Sequence, residues 1–239
     1  DRKAMESFVF GRTGVASANF IVNPPRLTSP NTRAEHSIDK ANAVLEAAGW
    51  KKGADGIREK GGRKLRFVFQ TSVNAVRQDF QALIKQWWQE IGVETELKTI
   101  DGAVFFGSDA GSPDTLQRFY ADIEMYANFF EGNNPEPYLA KNTCDKAPGP
   151  DNQWQGENTS RYCDQEYDKL VGELSGIVDP AERAKMGRKM NDMVTKDSDA
   201  IMPLIYRGTA SAHANSLGGV VLNAWDTELW NVADWYRVK

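Results

Sequence analysis

The chain has 239 residues, 41% hydrophobic and 10% aromatic, with 29 Lys and Arg against 33 Asp and Glu for a formal charge of -4. Such a composition supports a packed core and argues against disorder, and the scattered cations lack the basic block of a nucleic-acid binder. No apolar run reaches the ~18 residues needed to span a bilayer.

In chain order, DRKAMESFVFG reads as the later part of an amphipathic helix. Met5, Phe8, Val9 and Phe10 are apolar and no cap stands in front, so the expectation is a chain that has lost its beginning. Ser37 caps the helix IDKANAVLEAAG, with Ala41, Val44, Leu45 and Ala48 at helical spacing and Gly49 ending it. KKGADGIREKGGRK is a turn-rich connector. Its Asp-Gly is not a calcium loop, because Lys51, Gly53 and Gly62 would fall on ligand positions. Residues 65–71, LRFVFQT, predict a strand, and Asn74 starts a helix whose Val76, Phe80, Leu83, Ile84, Trp87 and Ile91 make one apolar stripe. Gly92 stops it and VETELKTI alternates as a second strand, which predicts a right-handed βαβ unit.

A short helical DGAVFFGS, a loop at Pro113 and a third strand, DIEMYANF, come next, then helices over 164–176 and 179–198. The last has Asp179 as cap, Pro180 in the first helical position and Glu182 as capping-box partner. Its Met186, Met190 and Met193 share a face and read as core packing. IMPLIY is strand-like, and the tail AWDTELWNVADWY carries three tryptophans that require burial.

Chemical signatures are few. The sequence contains no phosphate-binding Gly-rich loop, no nucleophile elbow and no His-Glu-x-x-His helix, and His36 and His213 are the only histidines. Cys144 and Cys163 bound a loop rich in Pro, Gly and Asn. They are either free thiols or a disulfide that removes about 3 kcal/mol of unfolded-chain entropy. A zinc site lacks ligand spacing. Asn158-Thr159-Ser160 matches a glycosylation sequon, a three-residue pattern frequent by chance.

The ordered set DRKAMESFVFGRTGVASANFIVNPPR, SIDKANAVLEAAGW with GADGIREKGG, WWQEIGVETELKTI, NNPEPYL, ENTSRYCDQEYDKL, VDPAERAKM, DAIMPLIY and WNVADWY runs nearly end to end. It resembles the second half of the solute-binding proteins of ABC importers, in the dipeptide, oligopeptide and nickel-binding family. The resemblance implies an α/β fold, one lobe of a type II periplasmic-binding-protein clamshell with a mixed sheet flanked by helices. Residues 1–206 would form the second ligand-binding lobe, and 207–239 would return to the first. Implied with it are a bacterial periplasmic or otherwise extracytoplasmic location, no cofactor and no catalysis. The partners are a peptide or sugar as solute and a membrane ABC permease, and the exposed face predicts self-association.

In peptide-binding relatives the acid ahead of the Asn-x-Pro element binds the ligand ammonium. Glu131 holds that place here, where those relatives carry Asp, and Asn128 stands where they often carry Trp, with Phe129 beside it. Glu131 has a second reading as the cap of a helix beginning near Asn134. The end of the first strand offers Thr71, Ser72, Asn74 and Arg77, with Arg77 suited to a peptide carboxylate or to a surface salt bridge. Trp154 is a stacking surface or the anchor of its own loop. A disulfide spans the equivalent loop in dipeptide-binding relatives, which implies a Cys144–Cys163 bond. The competing readings are a hydrolase or transferase domain using Glu131 and a neighbouring Asp, and a peptide-holding chaperone.

Overall fold

A computed structural model describes residues 1–33, 35–130, 132–208, 210–223 and 226–238. Elements in chain order are α1 (Arg2–Met5), β1 (Gly14–Ala16), α2 (Ile38–Ala47), β2 (Lys51–Lys52), β3 (Arg58–Lys60), β4 (Arg63–Lys64) and β5 (Arg66–Ser72). They continue with α3 (Ala75–Glu90), β6 (Glu94–Ile100), α4 (Gly102–Phe105), β7 (Ile123–Met125), α5 (Glu136–Leu139), α6 (Gln165–Ser175) and α7 (Pro180–Asp192). Three short strands close the chain: β8 (Ile205–Arg207), β9 (Leu217–Gly218) and β10 (Tyr236–Arg237).

The expected βαβ unit is present. The Asn74 side chain accepts from the Arg77 N–H at 3.2 Å and so caps α3. Gly92 ends it at φ +81°, where a Cβ would sit 2.9 Å from both Arg58 Cγ and the Gly56 carbonyl, so the turn requires glycine. β5 and β6 pair in parallel from Arg66↔Glu94 to Ser72↔Ile100, and β7 joins the other edge of β5, also in parallel, through Phe69↔Ile123, Gln70↔Glu124 and Thr71↔Met125. The period-2 alternation of strands then sorts the faces. Phe69, Leu97 and Ile123 turn toward α3 and pack with Phe80, Ile84 and Met5. Gln70, Lys98 and Glu124 turn the other way, beside a smaller cluster of Ile100, Phe105, Leu116 and Tyr126.

A second core lies among α5, α6 and α7, where Tyr138, Leu139, Tyr167, Leu170, Leu174, Met190 and Val194 are buried with Ile21 and Leu27. Met186 and Met193 pack against it, as their spacing predicts. Asn191 of α7 fastens the early extended segment, accepting from the Phe20 and Ile21 N–H groups at 2.7 and 3.3 Å and donating to Asn19 at 3.0 Å. Leu174 has no exposed surface. Leu174→Ala is therefore expected to lower unfolding free energy by about 3 kcal/mol, the lost transfer energy plus a cavity, measurable by urea titration. A loss under about 1 kcal/mol would mean that the α6 face collapses onto the gap.

Several elements differ from expectation. The connector at 51–64 is an antiparallel meander, β2-β3-β4, because Gly56, Gly61 and Gly62 take positive φ at its turns. α2 is capped by Ser37 as expected, yet none of its residues is fully buried and Val44 is 67% exposed. Its attachment is polar. Asp1 caps α1 by accepting from the Ala4 N–H at 2.9 Å, although the sequence reading found no cap there. Asp179 caps α7, but the Glu182 side chain pairs with Lys185 at 3.7 Å instead of closing a capping box. The sequon asparagine is structural: Asn158 is buried and its Nδ2 donates to the carbonyls of Asn142, Thr143 and Tyr162. In the tail, Trp230 remains 46% exposed, beside exposed Leu222, Leu229, Val232 and Tyr236, and Trp225 lies outside the described residues. The short antiparallel β9–β10 pair contributes too little apolar surface to cover them.

Candidate functional site

Because β5, β6 and β7 run in parallel, their carboxyl ends share one edge of the sheet, and the loops leaving them converge there. In open α/β sheets such an edge is where loop side chains and free N–H groups meet ligands. At the end of β5, Thr71 is buried and its Oγ1 donates to the Met125 carbonyl at 2.5 Å, tying β7 to β5. Ser72, also buried, accepts through Oγ from Arg77 Nη1.

Arg77 sits in the first turn of α3 with its guanidinium 5.4 Å from the centre of the Phe106 ring. It meets no acid among the described residues, so the surface salt bridge is not formed with any of them. Burial lowers its pKa, and the nearby positive charge of Arg207 lowers it further. The structure thus gathers Thr71, Ser72, Asn74 and Arg77 at one place and adds two residues that sequence reasoning missed. Arg207 arrives through β8, whose antiparallel pairing with β1 sets Gly14 opposite Arg207, and Phe106 arrives from the end of α4. Nothing local signals either one.

The loop after β7 carries Asn128 and Phe129. Asn128 is exposed and its Oδ1 accepts from the Phe129 N–H at 2.9 Å, while the Phe129 ring is 70% exposed. Phe130 turns inward against Tyr138, with ring centres 5.5 Å apart. Glu131 lies outside the described residues. Ahead of α5, Asn134 Oδ1 accepts from the Glu136 N–H at 3.2 Å in an Asx turn, and Pro135 stands at the helix N-cap without a side-chain cap bond.

Trp154 packs on cations rather than on the Arg77 group. The Arg118 guanidinium, from the segment between α4 and β7, lies 4.2 Å from its ring centre, and that of Arg161, from the same loop as Trp154, lies 5.9 Å away, so two cations cover the indole. Phe119, Trp154 and Arg161 all have left-handed backbone, φ 51°, 61° and 56°, so this covering layer holds strained geometry. Cys144 and Cys163 are bonded, with Cα atoms 4.6 Å apart. Beneath the layer, burial pushes the Glu124 carboxyl up to about 8, against the smaller opposing effects of Gln70, Arg161 and Lys98. Glu124 is an acid inside an otherwise apolar strand, a signal available in the sequence and not used. Among the described residues no group of three or more His, Cys, Asp or Glu side chains is arranged to hold a metal, and no helix is long and apolar enough to cross a membrane.

This fold is the lobe architecture of the type II periplasmic binding proteins, with parallel and antiparallel pairings divided among separate small sheets. The model of the bacterial extracellular solute-binding proteins, family 5, middle region, matches residues 1–147, and the chain belongs to that family. Over 231 residues it is 26% identical to a di/tripeptide-binding protein 4 of Pseudomonas aeruginosa, covering 93% of this chain but 38% of that relative. The chain thus spans well under half of that protein's length. Among solved structures, it resembles the oligopeptide-binding protein AppA of Bacillus subtilis in complex with a nonapeptide, with TM-score 0.71 and 20% identity over 100% of this chain and 45% of the other. It also resembles NikZ of Campylobacter jejuni in complex with Ni(L-His), with TM-score 0.75 and 17% identity over 99% and 46% of the two chains.

Proposed function

We propose that the protein carrying this chain is the extracytoplasmic solute-binding component of a bacterial ABC importer. It captures short peptides and delivers them to a membrane permease. Family membership supports the transport role, and the di/tripeptide-binding relative supports peptide as solute. The observation that carries the peptide reading is Arg77 at the carboxyl end of β5, a half-buried cation that forms no ion pair with an acid of the described residues and feels the positive charge of Arg207. A peptide carboxylate supplies the missing charge, and charge-assisted hydrogen bonds to guanidinium are strong. Glu131 is then the partner of the peptide ammonium, the role that the resemblance to peptide-binding relatives implies for it. Capture proceeds by closure of the site around the solute, with no bond made or broken. The exposed apolar residues of the 207–239 segment fit a segment that packs beyond this lobe.

Calorimetry with a dipeptide panel tests this in the protein carrying the chain. Arg77→Met, which keeps the contact with Phe106, should weaken binding about tenfold, ~1.4 kcal/mol. Amidating the peptide carboxyl should cost the unaltered protein a similar factor and the variant much less. Equal binding of free-acid and amidated peptides would remove the carboxylate from this site, and release of cleaved product would replace capture by hydrolysis.

A further inference from the structure

Gln70 and Glu124 stand directly opposite each other on β5 and β7, facing away from α3. Gln70 has no exposed surface. One hydrogen bond joins the pair, from Gln70 Nε2 to Glu124 Oε1. That leaves Gln70 Oε1 and Glu124 Oε2, both buried and both without a partner. Buried polar atoms are nearly always satisfied, and two orphaned oxygens on two side chains already bonded to each other form a specific pattern. Each accepts and neither donates while the carboxyl is ionised. A single proton on Oε2 changes that. A neutral carboxylic acid and a primary amide are complementary, with amide N–H to acid carbonyl and acid O–H to amide carbonyl, and the second bond would join the two orphans.

The neighbouring charges do not compete for Oε2. Lys98 of β6 is engaged by Asp114 at 2.6 Å. Arg161, from the covering loop, donates to the carbonyls of Thr159, Gln117 and Arg118 at 3.1, 2.9 and 3.3 Å and lies against Trp154. Arg118 faces Trp154 and Tyr120, and Tyr126 of β7 is occupied with Thr159 at 3.1 Å. Both cations that favour an ionised Glu124 are therefore committed elsewhere.

We infer that Glu124 is a proton-binding site, and that the bound proton closes a reciprocal acid–amide pair with Gln70 that staples β7, and with it the 126–130 loop, to β5. The raised pKa, from an ordinary 4.5 to about 8, agrees with this, so the folded chain holds the proton far more tightly than the unfolded chain. The sign of the linkage follows. Between pH 4.5 and 8 the folded state keeps the proton that the unfolded state has released. The staple's contribution is therefore complete at low pH, declines through that window and is gone above about 8.

The test is made on this chain. The carbon-13 resonance of the Glu124 carboxyl should titrate with a midpoint near 8, and the infrared spectrum at pH 6 should show a neutral carboxylic C=O band that Glu124→Gln removes. Glu124→Gln, which pairs with Gln70 as amide to amide without a proton, should match the unaltered chain at pH 4 and unfold at a higher denaturant concentration at pH 9. Glu124→Leu should be weakened at both pH values. A carboxyl midpoint below pH 6, or a Glu124→Gln chain with the same pH slope as the parent, would overturn the assignment. If the variants do not fold, the carboxyl titration of the unaltered chain decides alone. None of these readouts involves solute, so the result is independent of the transport reading.

Discussion

Arg58→Leu is expected to destabilise the chain by about 3 kcal/mol, the cost of leaving buried carbonyls unpaired and a guanidinium-shaped gap. Arg58 is 2% exposed although it lies on a two-turn meander. Its Nε donates to the Ile91 carbonyl at 2.7 Å, Nη1 to the Trp50 carbonyl at 2.6 Å and Glu46 at 2.5 Å, and Nη2 to Asn42 at 2.7 Å. Four donors thus fasten α2 and the end of α3 to β3. This polar clamp explains how α2 stays docked while Val44 faces solvent. For a chain of this length the loss corresponds to a Tm lower by roughly 6 to 12 °C. Arg58→Lys should recover only part, since one ammonium cannot reproduce the fork. A Tm shift under about 2 °C in scanning calorimetry would mean that α2 is held by something other than Arg58.

The second large effect is removal of the disulfide. Replacing Cys144 and Cys163 by Ser should cost about 3 kcal/mol, because the bond closes a loop with a sequence separation of 19 and its loss frees that entropy in the unfolded chain. The folded loop should persist. Cys144 N–H donates to the Asp168 carboxylate at 3.1 Å, and Asn158 holds three carbonyls around the same loop. The expected signature is therefore a lower urea midpoint with little change in the native spectrum. Reductant should shift the unaltered chain by the same amount and leave the double variant unmoved. An unaltered chain indifferent to reductant in the unfolding transition would show that the thiols are not bonded.

Much of the architecture was legible locally. Ser37, Asn74 and Asp179 are caps wherever they precede helical periodicity, because a short oxygen-bearing side chain satisfies free N–H groups without reference to the rest of the fold. Alternation in LRFVFQT and VETELKTI, with the stripe of α3 between them, carried the parallel pairing of β5 and β6. The meander at 51–64 was not legible as strands, since two-residue strands have no periodicity to read and only their glycine turns mark them.

The candidate site divides the same way. Thr71, Ser72, Asn74 and Arg77 are adjacent in the chain, and their position at a strand end and a helix start follows from local pattern alone. Arg207 reaches Arg77 across 130 positions, and Glu124 reaches Gln70 across 54, through strand pairings that no local pattern specifies. The sequence by itself determined the caps, the faces of α3 and β5, and the order of elements that places the chain in its family. Tertiary structure alone decided that Arg58 becomes a buried clamp, that Asn158 turns inward to hold a loop, and that one acid in an apolar strand meets a buried amide. The physical reason is that propensity and periodicity report which way a side chain turns, whereas its charge state and partners depend on what a distant strand or loop brings to that face.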